Sequence, residues 1–354
     1  MTAPLFNLNP AEAALEAQRM SWGMMQLPQN LRGIVDETTG VSPRDVVWES
    51  DPVKLYRYPS AGKTKAQPLL VSYALVNRPH MMDLQHDRSV LGALSRAGHD
   101  IYLIDWGYPD PADRFTSLGD YIFGYLHDCV EQVKTMTKSP QVNLVGVCQG
   151  GVFATCYAAA HPENVRNLIT MVTPVDFQTS DNLLTKWAMD SDADLTVKAL
   201  GNVPGDLLNV SYLTLKPFRL NLQKYWSLLD VADNREGVEN FLRMEQWIFD
   251  SPAQAGAAFA EFVRRFHQEN QLIKGTLEID GVPIRLADLQ MPILNIFARD
   301  DHLVPPDASK AMEKHVGTED YTELEFPGGH IGLYVSGRSQ KLVPPAISEW
   351  LAER

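Results

Sequence analysis

The chain has 354 residues, 45% of them hydrophobic, and a formal net charge of −13. This size and apolar content are enough for one large core, and the acidic balance argues against nucleic acid as a partner, because a phosphate backbone would be repelled. The longest apolar runs fall short of the roughly 18 residues that a membrane helix needs, the N-terminus does not resemble a signal peptide, and the three cysteines cannot all pair, so we expect a cytoplasmic protein.

The first predicted element is an N-terminal helix over residues 10–27, which Pro28 ends. Met20, Met24 and Leu27 lie at the spacing of one helix face. Such a face either packs on the rest of the protein or binds a partner subunit, and we favour packing. Residues 1–40 are therefore predicted to form an N-terminal helical segment.

Short apolar runs then alternate with helical stretches, which indicates a parallel sheet. Strands are predicted at residues 68–73, 100–106 and 142–147. Ligands of such sheets bind beyond the carboxyl ends of the strands. Val76, in the loop after the first of these strands, is therefore a candidate to donate its backbone N–H to a developing oxyanion.

The strand at residues 142–147 runs into Gly146-Val147-Cys148-Gln149-Gly150, and a helix is predicted at residues 152–160. Gly-x-nucleophile-x-Gly is typical of the nucleophile elbow of alpha/beta-hydrolases, a tight turn between a strand and a helix. Cys148 is thus the candidate nucleophile, and the N–H of Gln149 is the second candidate oxyanion donor. The alternative is a structural cysteine beside turn glycines.

A long insertion separates a strand predicted at residues 167–172 from the next one, at 292–298. It is rich in Trp, Met, Leu and Phe, so we predict a cap over residues 175–288, inserted into a core of residues 41–174 and 289–354. Helix-spaced aromatic residues usually pack in a core. The functional alternative is that some of them line an apolar channel or form a movable lid.

Two aspartates, Asp300 and Asp301, follow the strand at 292–298, and a glycine loop carries His330 after a half-exposed strand at 321–326. The order nucleophile, acid, histidine is that of alpha/beta-hydrolases. His330 would accept the thiol proton, while the acid would orient the imidazole and stabilise its charged form. Spacing alone does not separate the two aspartates.

Motifs along nearly the whole chain resemble, in the same order, those of polyhydroxyalkanoate synthases. They are Tyr73-Ala74-Leu75-Val76-Asn77-Arg78-Pro79, Tyr102-Leu103-Ile104-Asp105-Trp106-Gly107, Gly146-Val147-Cys148-Gln149-Gly150-Gly151, Thr173-Pro174-Val175-Asp176-Phe177, Asp301-His302-Leu303-Val304-Pro305 and Gly328-Gly329-His330-Ile331-Gly332. The resemblance implies an α/β fold of the alpha/beta-hydrolase type, with a mostly parallel sheet, flanking helices and an inserted cap. The short chain resembles the class III catalytic subunit, although class IV synthases have a similar length.

The resemblance also implies roles for individual residues. The family's catalytic aspartate directly precedes a histidine, which corresponds to Asp301. Cys148 would take the acyl group of a short-chain 3-hydroxyacyl-CoA such as 3-hydroxybutyryl-CoA, and the growing polyester would receive it, with release of CoA and no cofactor or metal. Whether His330 or Asp301 activates the hydroxyl stays open. His302 is a possible supporting residue, against the simpler interpretation of a histidine hydrogen-bonded in its loop.

The implied partners are the polyester chain, a second non-catalytic synthase subunit, and further copies in a homodimer or hetero-oligomer at the surface of cytoplasmic polyester granules. Two other functions remain as alternatives. One is a Cys-dependent thioesterase or hydrolase of the dienelactone hydrolase type, in which water accepts the acyl group; an apolar capped channel would disfavour it. The other is a non-enzymatic interaction protein, which the complete set of catalytic elements disfavours.

Overall fold

The computed structural model describes residues 40–62, 67–215 and 231–354, together with Leu15, Gln18, Leu228 and Leu229. The predicted N-terminal helix at residues 10–27 lies outside the described residues, apart from Leu15 and Gln18. Among the described residues, no helix combines the length and the apolar content that crossing a membrane requires.

The strands alternate with helices along the chain, as the apolar pattern predicts. They are β1 Asp45–Ser50, β2 Val53–Tyr58, β3 Leu69–Ser72, β4 Asp83–Gln85, β5 Arg88–Ser89, β6 Ile101–Asp105, β7 Val142–Val147, β8 Val165–Met171, β9 Leu277–Ile279, β10 Val282–Ile284, β11 Ile293–Ala298 and β12 Tyr321–Phe326.

Eight of these strands form one sheet in the order β1-β2-β6-β3-β7-β8-β11-β12. β2 pairs antiparallel with β1 and with β6, and the remaining neighbours pair in parallel. Each strand predicted from the sequence is present within two residues of its expected ends. β7, near the middle, is buried along its whole length because helices cover both faces, whereas β12 is a half-exposed edge strand, as predicted.

The helices divide between the two faces of the sheet and the region of the predicted cap. They are α1 Val90–Arg96, α2 Leu126–Thr137, α3 Gln149–Ala160, α4 Leu183–Met189, α5 Ala193–Leu200, α6 Gly205–Leu215, α7 Arg235–Phe249, α8 Gly256–Phe262, α9 Gln271–Lys274, α10 Pro306–Lys310, α11 Gly332–Val335 and α12 Gly337–Ala352. Two π-helical turns, Asp120–Tyr125 and Val263–Gln268, directly precede α2 and directly follow α8.

Two apolar clusters hold these layers together. Residues of α2, α3 and α8 bury one face of the sheet, and residues of α1, α11 and α12 bury the other. Because both faces are covered, the carboxyl ends of the parallel strands are where functional side chains can reach a ligand.

The last part of the predicted cap contributes to the core. Leu272, Leu277 and Ile284 are almost fully buried in the same cluster as Phe153 of α3. Helices α4 to α6 leave more apolar surface exposed than this last part of the predicted cap does. Trp187 is 42% exposed and Leu195 is 61% exposed. The boundaries of the cap at residues 175–288 therefore stay a prediction.

Candidate active site

Cys148 lies at the carboxyl end of β7, in the turn that leads into α3. Its backbone has φ 53 and ψ −121, a conformation that non-glycine residues rarely adopt. Hydrogen bonds hold it there: its N–H donates to the carbonyl of Met171 at 2.9 Å, and its carbonyl accepts from the N–H of Gly151 at 3.0 Å. The predicted elbow is thus formed, and α3 begins at Gln149, earlier than expected, because the elbow glycines are already helical.

The glycines around Cys148 allow very close packing. A Cβ atom on Gly150 would lie 2.3 Å from the backbone oxygen of Tyr73, and one on Gly151 would lie 1.8 Å from Oγ1 of Thr173. Any side chain at these positions would push α3 away from the strands beneath it. The glycines therefore let the first turn of α3 approach the ends of β3 and β8.

His330 lies between the two other predicted catalytic residues. Its Nδ1 is 2.7 Å from Oδ2 of Asp301, and its side chain also hydrogen-bonds the thiol of Cys148. Oδ1 of Asp301 accepts hydrogen bonds from the N–H groups of Leu303 and Val304 at 2.9 and 3.0 Å. Both members of the His330–Asp301 pair are buried. The loops after β7, β11 and β12 thus bring the predicted nucleophile, acid and histidine together.

Asp300 has a different environment. Its side chain is 60% exposed and lies 3.9 Å from Arg299 at the surface. The structure therefore separates the two aspartates that spacing left equivalent: Asp301 contacts the imidazole, and Asp300 faces solvent.

Charge around His330 favours its protonated form. Burial acts to lower the pKa of the imidazole, but the negative charges of Asp301 and Cys148 outweigh burial and raise this pKa to about 10. The site is therefore arranged to stabilise an imidazolium, which is the form that His330 would take on accepting a thiol proton.

The two predicted oxyanion donors lie beside Cys148, and Val76 and Gln149 line the same cavity as the thiol. The N–H of Gln149 stands in the first turn of α3, where a helix offers no intrahelical acceptor. The sequence predicted only this main-chain role, yet Oε1 of Gln149 also accepts a hydrogen bond from the N–H of Leu75 at 3.1 Å. The side chain of Gln149 thus ties the elbow to the loop that carries Val76.

Cys148 opens into a cavity of about 250 Å³. Its walls are largely apolar, and the residues that form them include Phe177, Leu184, Trp187, Leu208, Phe259 and Phe262. Tyr212 and His267 also line it, and the sequence pattern did not single out either residue. No local pattern in the sequence identifies them, because both lie in helices of the insertion. Which side of such a helix faces Cys148 is determined only when the helix packs over it.

Three further residues have simple environments. His302 is half-buried, and its neighbours Leu303 and Val304 line the cavity, so a supporting role for His302 stays a prediction. Cys129 of α2 and Cys156 of α3 are fully buried in the core, and burial raises the pKa of both thiols. Within the described residues, His, Cys, Asp and Glu side chains form no group of three that could hold a metal ion.

Comparison with known proteins identifies relatives that match nearly the whole chain. The alpha/beta hydrolase fold family matches residues 77–336. The poly(3-hydroxyalkanoate) polymerase subunit PhaC of Allochromatium vinosum is 51% identical over 351 residues, which cover 98% of this chain and 99% of that protein. Proteins of the same name from Thiocystis violacea and Synechocystis sp. are 50% and 46% identical; the matches cover 98% and 92% of this chain and 99% and 89% of those proteins.

Solved structures share the architecture at low sequence identity. A monoacylglycerol lipase of Paleococcus ferrophilus has a TM-score of 0.54 and 16% identity, over 84% of this chain and 98% of that one. An alpha/beta hydrolase fold protein from Chitinophaga pinensis has a TM-score of 0.52 and 14% identity, over 89% of this chain and 99% of that one. At such identities the likeness concerns the fold alone, and it confirms the alpha/beta-hydrolase fold predicted from the sequence.

Proposed function

Because the chain belongs to the poly(3-hydroxyalkanoate) polymerases, which are acyltransferases with the alpha/beta-hydrolase fold, we propose that it polymerises short-chain (R)-3-hydroxyacyl-CoA into polyester and releases CoA. The proposed triad is Cys148, His330 and Asp301. The observation that carries the proposal is His330, which hydrogen-bonds Asp301 on one side and the thiol of Cys148 on the other.

The first step is acylation of the enzyme. His330 takes the proton of Cys148, and the thiolate attacks the thioester carbonyl of the substrate. The N–H groups of Gln149 and Val76 stabilise the oxyanion that forms, a contribution that is typically about 3 kcal/mol for one donor. The C–S bond to CoA then breaks, and the leaving thiolate takes the proton from His330. One thioester replaces another, so the acyl group stays reactive on Cys148.

The second step transfers the acyl group to a hydroxyl. The hydroxyl end of another acyl unit loses its proton, with His330 as the base, and attacks the thioester on Cys148. An ester bond forms, the Cys148 thiolate leaves, and the chain is one unit longer. Asp301 orients His330 in this step. The alternative is that Asp301 itself removes the proton of the hydroxyl.

The apolar cavity favours a hydroxyl over water as the acyl acceptor. Phenylalanine and leucine side chains surround Cys148, and a closed apolar site protects a reactive thioester from hydrolysis. This property separates the polymerase from the Cys-dependent hydrolase, which needs water at the same position.

We extend the proposal to partners and location. The relatives are named as polymerase subunits, which supports a second, non-catalytic subunit of the class III type and assembly as a homodimer or hetero-oligomer. A polymerase that retains its insoluble product would work at the surface of a polyester granule. Addition of such a second subunit should raise the rate of CoA release by this chain.

The decisive assay supplies (R)-3-hydroxybutyryl-CoA to the purified protein. Free CoA and insoluble polyester are the expected products, and Cys148→Ala should abolish both. The matched control is Asp300→Asn, which leaves the triad intact. Free 3-hydroxybutyrate as the main product would support the hydrolase instead.

A further inference from the structure

His267 lies in the π-helical turn Val263–Gln268, directly after α8, and lines the cavity into which Cys148 opens. A π-helical turn inserts an extra residue into a helix and redirects the side chains around it, and such turns are frequent at functional sites. The residue is only 8% exposed. The described contacts of the triad do not involve this histidine, so its position in the cavity calls for another role.

The imidazole of His267 is held in a defined orientation. Its Nδ1 lies 2.8 Å from Oγ1 of Thr185, in α4. The ring packs edge-on against Phe177, with the ring centres 4.9 Å apart, and against Phe262 at 5.7 Å. A ring fixed on these sides presents its remaining edge in one direction.

In the described part of the chain, Nε2 of His267 has no hydrogen-bond partner, although the residue is nine-tenths buried among aromatic side chains. Burial lowers the pKa of His267 to about 4, so the ring is neutral at neutral pH, with one nitrogen as donor and the other as acceptor. Within the described residues, Nε2 is thus left available to pair with a polar group of a bound ligand.

The chemistry of that ligand group follows from the surroundings. The walls beside His267 suit a hydrocarbon chain, and the nitrogen suits a single oxygen on that chain. A hydroxyl both donates and accepts, so it can pair with either neutral tautomer of the ring. The cavity of about 250 Å³ lies below the range of roughly 300–1,000 Å³ that is usual for small-molecule sites, so its walls are close to any acyl group on Cys148.

We propose that His267 is a specificity-determining residue: its Nε2 hydrogen-bonds the 3-hydroxyl of the acyl group carried by Cys148, and this contact selects 3-hydroxyacyl groups over unsubstituted acyl groups. The proposal rests on the function proposed above. Thr185 is the positioning residue that holds the imidazole in place.

The test compares acylation of Cys148 by 3-hydroxybutyryl-CoA and by butyryl-CoA, which lacks the hydroxyl. Single-turnover release of CoA gives a rate for each substrate, and mass spectrometry locates the acyl group. The ratio of the two rates is the readout, because a merely structural change would lower both rates together. In His267→Phe, which keeps a ring against Phe177 and Phe262, the ratio should fall about tenfold or more from the wild-type value.

Matched variants of Thr185 test the effect of the orientation of the His267 ring without changing the ring itself. Thr185→Val removes the hydroxyl at constant shape and should lower the ratio, whereas Thr185→Ser keeps the hydroxyl and should retain it. His267→Gln, which keeps a donor and an acceptor, should restore part of the ratio lost in His267→Phe. An unchanged ratio in His267→Phe would overturn the inference, and an unchanged ratio in Thr185→Val would overturn the positioning role of Thr185.

The two proposals fail in different ways. If wild-type protein carries no acyl group on Cys148 with either substrate, the proposed function is wrong. If Cys148 is acylated but the preference for the hydroxylated substrate survives in His267→Phe, only the role of His267 is wrong.

Discussion

The side-chain amide of Asn77 donates a hydrogen bond to the backbone carbonyl of Trp247 at 3.3 Å. The same amide donates to the carbonyl of Ile248 at 3.1 Å, and the indole N–H of Trp247 donates back to the carbonyl of Arg78 at 2.7 Å. The loop after β3, which carries Val76, is thus tied to the last turn of α7. A shift of α7 would therefore displace a proposed oxyanion donor.

We predict that loss of this tie lowers the catalytic rate. Asn77 has φ 58, so Asn77→Gly removes the amide without backbone strain, whereas Asn77→Ala adds strain. The two lost hydrogen bonds are each worth about 1 kcal/mol, and we expect a fall in kcat of about tenfold in both variants. Urea unfolding should show the larger loss of stability in Asn77→Ala. A wild-type kcat in Asn77→Gly would mean that the position of Val76 does not depend on these hydrogen bonds.

The two aspartates should differ strongly in their effect on activity. Asp301→Asn removes the charge that stabilises an imidazolium at His330 and should lower the rate of CoA release by about 10³–10⁴-fold. Asp300→Asn should keep nearly full activity, because this side chain is exposed and lies beside Arg299 at the surface. The opposite pattern would move the catalytic acid by one residue.

The proton on His330 should make stability depend on pH. The folded-state pKa is about 10 against an ordinary value of 6.5, because the charges of Asp301 and Cys148 overcome the effect of burial. The folded protein therefore keeps a proton that the unfolded chain releases over this range. The contribution of His330 to the free energy of unfolding is complete below about pH 6.5 and is lost as the pH rises through about 10.

Urea unfolding of the wild type and of His330→Gln checks this dependence. The difference in unfolding free energy should be largest near pH 6 and should shrink towards pH 10. A difference that stays constant across the range would show that His330 is not protonated in the folded state.

The three cysteines should react very differently with an alkylating reagent. Cys129 and Cys156 are fully buried, and burial raises the pKa of both thiols, which makes the reactive thiolate scarce. Cys148 is partly exposed in the cavity. Iodoacetamide should therefore label Cys148 alone in the folded protein, and all three thiols in urea, as peptide mass spectrometry would detect. Rapid labelling of Cys156 in the folded state would contradict the burial of α3.

The glycine after Gln149 should be irreplaceable. In Gly150→Ala the new Cβ would meet the backbone oxygen of Tyr73 at 2.3 Å, and backbone atoms there have little room to move. We expect a loss of stability of about 1–3 kcal/mol or more and a loss of activity. The control is Gly337→Ala at the start of α12, where no atom lies within 4 Å of the new Cβ. This control should be neutral or stabilising by up to about 1 kcal/mol. Equal stability of the two variants would contradict the close packing at the elbow.

Much of the fold could be predicted from the sequence, because its strands and turns depend on residues that are close together in the chain. Runs of buried apolar side chains mark β3, β6, β7, β8 and β11, and the glycines at Gly146 and Gly150 mark the turn around Cys148. The order of Cys148, Asp301 and His330 along the chain indicated which loops would meet. The strands and the turn depend on residues close together in the chain. The triad candidates follow strands, and the carboxyl ends of parallel strands lie at the same edge of the sheet.

The sequence by itself determined the strands, the elbow and the candidate residues of the triad, whereas the tertiary structure decided their partners. Only the folded chain places the hydroxyl of Thr185 against His267, 82 residues away, and the amide of Asn77 against Trp247, 170 residues away. The physical reason is that an apolar pattern records whether a side chain is buried, not what buries it. Partners so distant in the chain are set by how the insertion helices pack over the ends of the strands.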